Sequence, residues 1–469
     1  MLLSGYRAAR AGARGRGGIA RILVLAYQGT FVRISIGRPH LTQTRKFLFL
    51  QGPHGPFFRQ LGYKLQATGA RVERVGFTFG DRVFWSRALP FTPYRGRPED
   101  WENWLEAYLE RNGTTDIILY GDSRPLHKTA REVAARRGIT VHCFEEGYLR
   151  PYWATYERGG VNGNSRLLEL GVEAMQRAVA THPVDLPEVP VQWGAIWHHA
   201  FYGFLYHLMV SVPVPAYRNY RPHREVTVLH ELLLYIRRLA IMPVQGIQRR
   251  VRTRRLLRSG AIYHLVLLQL SHDASLRSHS DFGSVGEFID MVIAGFARGA
   301  PAHHILAFKA HPFEDYREPL PALVRKAAAR HGVSMRVRYI PGGKLGPLLD
   351  GANSVVTVNS TAAQQALWRG LPVRAFGRSV FAKPELVSAQ PLPAFFAAPD
   401  APAGEAYRAY RQFLLETSQI AGGYYTQRGR SELLRRVVDL VLSPDDPYAR
   451  ILHPARGDGG VVPFPAVRQ

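Results

Sequence analysis

The feature that most constrains the fold is a recurring order of elements: an apolar strand, a loop rich in glycine and polar residues, and an amphipathic helix. Residues 46–51 (KFLFLQ) predict a strand that runs into the glycine and proline loop 52–56 and a helix over 57–68. A second apolar strand at 116–120 leads to the loop 121–125 and another helix. Strands that alternate with helices in this way predict an α/β chain built on parallel sheets.

The same order returns after residue 261, with strands predicted at 262–268, 304–309 and 355–358. Two sets of this kind predict two Rossmann-like domains that face a cleft. Open α/β sheets bind ligands at the carboxyl ends of their strands. We therefore expect the functional residues in the loops that follow these strands.

These patterns divide the chain into five predicted segments. They are a basic, disordered N-terminus at 1–45, a first Rossmann-like domain at 46–190, a helical segment rich in basic and aromatic residues at 191–260, a second Rossmann-like domain at 261–400, and C-terminal helices with a loose tail at 401–469.

The chain of 469 residues is strongly basic, with 61 Lys and Arg against 36 Asp and Glu and a formal net charge of +25. Such a charge attracts nucleic acid, an anionic membrane surface or phosphate-bearing substrates. The basic residues are spread over several segments without a recognition motif, so we expect no nucleic-acid partner. The aromatic residues and arginines of segment 191–260 predict either a membrane contact or a helical insert packed on its domain.

Cys143 is the only cysteine, which excludes an intrachain disulfide and indicates a reducing compartment. No apolar stretch reaches the roughly 20 residues that a transmembrane helix needs. The sequence therefore predicts a cytoplasmic protein that is peripheral at the inner membrane.

Two loops of the second set carry polar groups suited to an anion. Asn359-Ser360-Thr361 lies between a strand and a helix, where free N–H groups and two hydroxyls can form an anion site. Simple capping of the helix by one of the hydroxyls is the alternative interpretation. Lys309 and His311-Pro312 end another strand, and the proline stiffens the turn that carries the imidazole. The pair of loops predicts a site for the phosphate of a sugar nucleotide.

Carboxylates follow two other strands. Glu145-Glu146-Gly147 is an acidic pair suited to acid/base chemistry or to sugar hydroxyls, although one acid bound to Arg150 in a solvated pair would also explain it. Asp273 could serve as a nucleophile, or as a metal ligand with His272 and His279. The spacing of these three residues does not favour a metal, so we expect neither a metal nor another cofactor.

Further polar residues near strand ends are expected to contact the acceptor or a sugar. They are Gln51, His54, Asp122, Arg124, His127 and Arg150.

Seven collinear motifs resemble the capsular polysaccharide biosynthesis proteins of the KpsS/LipB type, and together they span about residues 46–385. They are FLQGPHGPFF at 49–58, GDSRPLH at 121–127, FEEGYLRP at 144–151, GVNGNS at 160–165, LQLSHDASLRSHS at 268–280, KAHP at 309–312 and VNSTAAQQALWRGLP at 358–372.

The resemblance implies a GT-B type fold, with 46–190 as the acceptor domain and 261–400 as the nucleotide-sugar domain. It also implies a retaining β-Kdo transferase that uses CMP-Kdo and starts the capsule linker on a phosphatidylglycerol-type lipid. By the same resemblance, Asp273 matches the position of the nucleophile, and His311 would contact the CMP phosphate beside Ser360 and Thr361. The acidic pair together with the His-Pro motif is also similar to bacterial sialyltransferases, which use CMP-activated sugars as well. Other capsule assembly and export proteins are further expected partners.

Two other classes of function remain open from the sequence. One is a peripheral membrane protein without catalysis, such as a capsule assembly or export factor, which would suit the basic and aromatic segment. The other is a metal-dependent hydrolase that uses His272, Asp273 and His279.

Overall fold

The computed structural model describes residues 23–27, 30–34, 44–180, 196–221, 228–270, 280–311, 314 and 318–452. The chain forms two compact units, Met1–Thr44 and Arg45–Gln469. In the first unit, strands β1 (Leu23–Tyr27) and β2 (Thr30–Ile34) pair antiparallel. This hairpin falls within the segment that the sequence predicts to be disordered.

The second unit contains a seven-stranded sheet, and the part of the unit built on it is called the seven-stranded half below. Its strands are β3 (Lys46–Phe49), β4 (Arg71–Gly76), β5 (Phe91–Pro93), β6 (Asp116–Tyr120), β7 (Thr140–Glu146), β8 (Trp153–Arg158) and β14 (Gln419–Ala421). Their order is β14-β8-β7-β6-β3-β4-β5. The pairs from β7 to β5 are parallel, while β8 is antiparallel to both of its neighbours.

Both faces of this sheet are buried. In β3 and the residue that follows it, Phe47 and Phe49 pack into one apolar cluster and Leu48 and Leu50 into another, as the alternation of side chains along a strand requires. The helices of this half are α1 (Phe57–Ala67), α2 (Phe79–Val83), α3 (Trp101–Asn112) and α4 (Pro125–Arg137). The next helix, α5 (Val172–Val179), packs into an apolar cluster that also contains strands of the second sheet described below.

A five-stranded, fully parallel sheet forms the five-stranded half. Its strands are β9 (Tyr263–Leu267), β10 (Ile305–Lys309), β11 (Val337–Ile340), β12 (Ala352–Thr357) and β13 (Val373–Ala375), in the order β11-β10-β9-β12-β13. Its helices are α8 (Val285–Gly299), α9 (Leu320–Arg330), α10 (Gly346–Asp350), α11 (Gln364–Leu367) and α12 (Leu392–Ala397). The predicted α/β fold with two Rossmann-like halves is confirmed by these two sheets.

The C-terminal part of the chain returns to the seven-stranded half. It consists of α13 (Gly404–Thr417), strand β14, α14 (Gln427–Leu442) and α15 (Pro447–Leu452). Strand β14 pairs with β8 at the edge of the sheet, and the side-chain oxygen of Gln419 accepts hydrogen bonds from the backbone N–H groups of Tyr148 and Leu149. The chain therefore crosses between the halves twice.

Two helices connect the halves: α6 (Ile196–Val210) and α7 (Val228–Arg258). From α6, the ring of Tyr206 stacks on His54, and its hydroxyl lies 3.2 Å from that of Thr78. From α7, Arg249 Nε donates to the carbonyl of Pro341 at 2.6 Å. Each helix is thus attached to a different half. Among the described helices, none combines the length and the apolar character needed to cross a bilayer.

Candidate active site

A solvent-open cavity of about 770 Å³ lies where strand ends of the two halves meet. The seven-stranded half contributes Glu145, Glu146, Arg150, Asn162 and Gly163. The five-stranded half contributes Gln269, His311, Asn359, Ser360, Thr361, Arg378, Ser379 and Val380. Seven of these residues are among those singled out from the sequence, and they come from loops that are up to 216 positions apart (Glu145 to Thr361). This cavity is the candidate active site.

Strand register explains why three of these side chains meet. Leu267 of β9 is paired with Lys309 of β10 on one side and with Thr357 of β12 on the other. Two residues beyond each of these positions come Gln269, His311 and Asn359. Positions two apart in a strand share a face, so the sheet delivers all three side chains to one place.

Gln269 and Asn359 hold each other in position. Gln269 Nε2 donates to Asn359 Oδ1 at 2.7 Å, and the backbone N–H of Asn359 donates to Gln269 Oε1 at 3.1 Å. Both side chains are buried. A reciprocal pair of this kind fixes the start of the Asn359-Ser360-Thr361 loop, because breaking it would leave buried polar groups without partners.

The turn after Asn359 is shorter than the sequence predicts. A helix is expected from residue 362 to 369, but a 3-10 turn at Thr361–Ala363 leads into the four-residue helix α11. Gly370, in the left-handed region, and Pro372 end it. The helical stretch that follows Ser360 is therefore short, and its dipole adds little to the site. Ser360 accepts from the N–H of Ala362, so its capping role is present.

The positive charge at the cavity comes from side chains. Arg150 and Arg378 are exposed residues that line the cavity from opposite halves. His311, in the loop after β10, also lines it. Lys309, which the sequence predicts at the donor phosphate, does not line the cavity. Its buried ammonium group donates to the carbonyl of Ala310, and burial, with the nearby charge of Arg249, lowers its pKa to about 8.

The acidic pair closes the opposite side of the cavity, at the end of β7. Glu146 accepts a hydrogen bond from the Tyr120 hydroxyl at 3.0 Å. Glu145 accepts one from the backbone N–H of Glu146, also at 3.0 Å, and its own carbonyl accepts from Tyr424 at 2.7 Å.

Burial raises the pKa of Glu145 to about 7, and the charge of Glu146 adds to the increase, while the Glu146 N–H and Arg150 oppose it. A carboxyl group with such a pKa can both take up and release a proton near neutral pH. This property suits general acid/base chemistry.

Gly147 makes the turn after the acidic pair possible. A Cβ atom at this position would lie 2.4 Å from the carbonyl oxygen of Trp153. The two backbone segments are held together because Gly147 N–H donates to that same oxygen at 2.9 Å. Glycine is required here by the close approach of the backbone.

Asp122 supports another part of the cavity wall, although it does not line this cavity itself. It is buried, and its Oδ2 accepts from the N–H of Val161 at 2.9 Å and from Asn164 Nδ2 at 3.0 Å. These bonds hold the loop that presents Asn162 and Gly163 to the cavity. The structure thus places Asp122 as a support of the loop, whereas the sequence predicts direct contact with acceptor or sugar.

The other predicted acceptor residues are dispersed. Gln51 and Arg124 line a second, more apolar cavity of about 920 Å³, where Arg124 Nη1 lies 3.5 Å from Gln51 Oε1. His54 packs against Tyr206, and His127 is fully buried with Nδ1 2.6 Å from the carbonyl of Gly121. Of the six predicted acceptor residues, Arg150 alone lines the candidate active site as described.

Two predicted site residues, Asp273 and Pro312, lie outside the described residues, as do His272 and His279 of the metal alternative. Within the described ranges, no group of three His, Cys, Asp or Glu side chains has the geometry of a metal site.

Sequence reasoning missed several lining residues. Asn162, Gly163 and Gln269 fall inside the quoted motifs, so their motif membership could have identified them. Arg378 and Ser379 follow β13 and lie outside those motifs. Their position after a parallel strand is the same signal that identifies the other loops.

Comparison with known proteins identifies the family of the chain. Residues 115–425 match the family described as capsule polysaccharide biosynthesis protein. The chain therefore belongs to that family.

Two relatives show how far the similarity extends. The chain is 30% identical over 389 residues to the capsule polysaccharide export protein KpsS of Escherichia coli, covering 82% of this chain and 98% of KpsS. It is also 30% identical over 406 residues to the capsule polysaccharide modification protein LipB of Neisseria meningitidis, covering 82% and 93%. A solved structure of a β-Kdo 2,7 transferase, KpsC of Thermosulfurimonas dismutans, aligns with a TM-score of 0.38 and 13% identity, covering 85% of this chain and 100% of that one.

The contact at Gly147 gives a first prediction. Gly147→Ala should lower the free energy of unfolding by about 2 kcal/mol, because the added methyl group forces two bonded backbone segments apart. Urea denaturation followed by circular dichroism measures this change. Gly404→Ala is the matched control, since a Cβ there meets nothing within 4 Å. Equal stability of the two variants would contradict the close approach at Gly147.

Proposed function

We propose that this chain is a glycosyltransferase that moves Kdo from CMP-Kdo, with retention, onto a phosphatidylglycerol-type lipid at the inner membrane face. The observation that carries the proposal is the composition of the candidate active site. An acidic pair on one half faces an imidazole, two amides and three hydroxyls on the other half, with one arginine from each half. Membership of the capsule biosynthesis family and the resemblance of its motifs support the same reaction.

The five-stranded half would hold the nucleotide phosphate. His311 after β10 and Ser360 and Thr361 after β12 provide hydrogen-bond donors, and Arg378 supplies a formal positive charge. The leaving CMP carries its negative charge on a phosphate, so donors fixed there before reaction lower the barrier to its departure. The Gln269–Asn359 pair would keep the loop with these hydroxyls from reorganising during the step.

Retention requires two displacements. In the first, a carboxylate oxygen of Asp273 bonds to the anomeric carbon of Kdo as the bond from that carbon to the CMP phosphate oxygen breaks. This role follows from the resemblance and from the place of Asp273 four positions after Gln269, which lines the cavity. The products of the step are a Kdo-enzyme ester and CMP.

In the second displacement, an acceptor hydroxyl attacks the same carbon and releases the Asp273 carboxylate. Glu145 would take the proton of that hydroxyl. The structure favours Glu145 over Glu146 for this role because the pKa of Glu145 is raised to about 7, whereas Glu146 accepts a hydrogen bond from Tyr120. Glu146 would then act by raising the pKa of its neighbour.

A second candidate is an export factor without catalysis, which the name of the KpsS relative favours. An export factor of this kind predicts that the chain transfers no sugar. Altering the cavity residues would then change no transfer rate. The experiments below distinguish it from the transferase.

Transfer can be tested with the purified chain, CMP-Kdo and a synthetic phosphatidylglycerol acceptor, with the product measured by mass spectrometry. We expect a Kdo-lipid product and loss of at least about 100-fold in rate for His311→Ala, because it removes a donor to the leaving phosphate. Asp273→Asn should abolish turnover, since an amide cannot form the ester.

The matched controls are Asp281→Asn and His303→Ala, which alter exposed residues of the same half. Both should retain the activity of the parent chain. Full turnover by Asp273→Asn would overturn the nucleophile assignment, and transfer from a UDP-sugar but not from CMP-Kdo would overturn the donor assignment.

The pKa of Glu145 predicts the pH dependence of the reaction. A base must be deprotonated, so kcat/KM should rise as the pH increases through about 7. Glu145→Gln should remove this limb together with most of the activity. Glu146→Gln should keep the limb and shift its midpoint to lower pH, because the charge that raises the pKa of Glu145 is gone. A profile that keeps its limb in Glu145→Gln would show that another group is the base.

A further inference from the structure

Helix α7 carries a row of exposed apolar side chains. Leu229, Leu233, Ile236, Val244, Ile247 and Val251 are each exposed by 47% or more, and exposed Ala240 fills the gap in the series. These positions are three or four residues apart, so they form one stripe, roughly 33 Å long, on a single face of the helix. The stripe is defined by these seven residues.

The opposite face of α7 is the one that contacts the rest of the chain. Gln245 and Leu256 are buried there, and Arg249 donates to the carbonyl of Pro341 from the five-stranded half. The helix therefore uses its polar and mixed face for folding, and it leaves its most apolar face in water. An exposed contiguous apolar surface of this extent is typical of an interaction site.

Arginines border the stripe. Arg237, Arg250 and Arg255 are exposed, and Arg254 and Arg258 are exposed where the stripe ends. In the whole sequence of α7, eight arginines stand against one acidic residue, Glu231. Pairing two copies of this helix would bring like charges together, whereas an anionic surface would neutralise them. The charge therefore selects an anionic lipid surface over a second copy of this chain.

We infer that the α7 stripe is the surface on which this chain docks onto an anionic phospholipid bilayer. The helix lies parallel to the membrane, with the stripe inserted among the lipid headgroups and the arginines on lipid phosphates. This docking does not depend on the proposed transfer reaction, although it would bring that reaction to its lipid acceptor.

One cavity adjoins the stripe, and a second cavity shares a lining residue with the first. The first, of about 1190 Å³, begins at Leu229 and is lined by Val210, Val212 and Tyr217. It shares Tyr220 with the apolar cavity that holds Gln51 and Arg124. Leu229 thus belongs both to the stripe and to the lining of a cavity with several apolar residues, so further apolar surface adjoins the stripe at this end.

Vesicle sedimentation tests the docking. The full chain should bind vesicles of phosphatidylcholine with phosphatidylglycerol and bind pure phosphatidylcholine vesicles at least about tenfold more weakly. Binding to the anionic vesicles should fall as salt rises, because the arginine contribution is screened. The triple variant Leu233→Gln, Val244→Gln, Ile247→Gln should lose at least about tenfold in partition coefficient.

Matched controls separate the stripe from general surface properties. Ile262→Gln with Met335→Gln removes exposed apolar side chains elsewhere and should bind like the parent chain. Arg250→Gln, Arg254→Gln, Arg255→Gln should weaken binding to anionic vesicles alone, whereas Arg325→Gln, Arg408→Gln, Arg428→Gln, which changes exposed arginines elsewhere, should have a much smaller effect.

Two results would overturn the inference. One is equal vesicle binding by the parent chain and the stripe variant. The other is a parent chain that sediments as a dimer in analytical ultracentrifugation while the stripe variant is a monomer, because the stripe would then be an interface between copies. Failure of Kdo transfer with intact stripe-dependent vesicle binding would count against the proposed function alone. Transfer to a water-soluble acceptor should be unchanged in the stripe variant.

Discussion

The in-register parallel pairing of β10, β9 and β12 determines what the candidate active site contains. Lys309, Leu267 and Thr357 lie side by side in the sheet, so the residues two positions further along each strand emerge together. Hydrogen bonds between Gln269 and Asn359 then fix the edge that carries the two hydroxyls. A one-residue slip of any of these strands would turn its functional side chain to the other face of the sheet.

The acidic side of the cavity depends on a different constraint, which is the return of the chain from the five-stranded half. Strand β14 pairs with β8, and Gln419 binds the backbone just after the acidic turn. Tyr424 then covers the end of β7 and donates to the carbonyl of Glu145. Packing of this kind removes water from the Glu145 carboxyl group, and burial is the main reason that its pKa is raised. Two adjacent glutamates acquire different surroundings in this way.

Local sequence pattern was sufficient to predict the α/β class, the two Rossmann-like sheets and the strand ends that carry Glu145, His311 and Asn359. Each of these features is encoded within a few residues. The pairing of Gln269 with Asn359 spans 90 residues of sequence, and the return of β14 to β8 spans more than 260. Contacts between residues so far apart in the chain produce no local periodic pattern of residue types. The sequence pattern therefore could not predict them.

Burial explains the remaining differences. Asp122 and His127 have the composition of binding residues, but tertiary packing encloses them, and Asp122 serves the backbone of a neighbouring loop. Lys309 is also buried, two positions before His311 in the sequence. The helix after Thr361–Ala363 ends at Leu367, and Gly370 and Pro372 follow it in the chain.

We propose that the cavity between the halves holds the nucleotide against the five-stranded half, opposite the acidic pair. A crystal structure of the chain with bound CMP would locate the nucleotide. We expect the CMP phosphate in contact with His311, Ser360 or Thr361, with Glu145 across the cavity from it. Nucleotide bound only elsewhere, or no binding of CMP at millimolar concentration, would overturn this assignment.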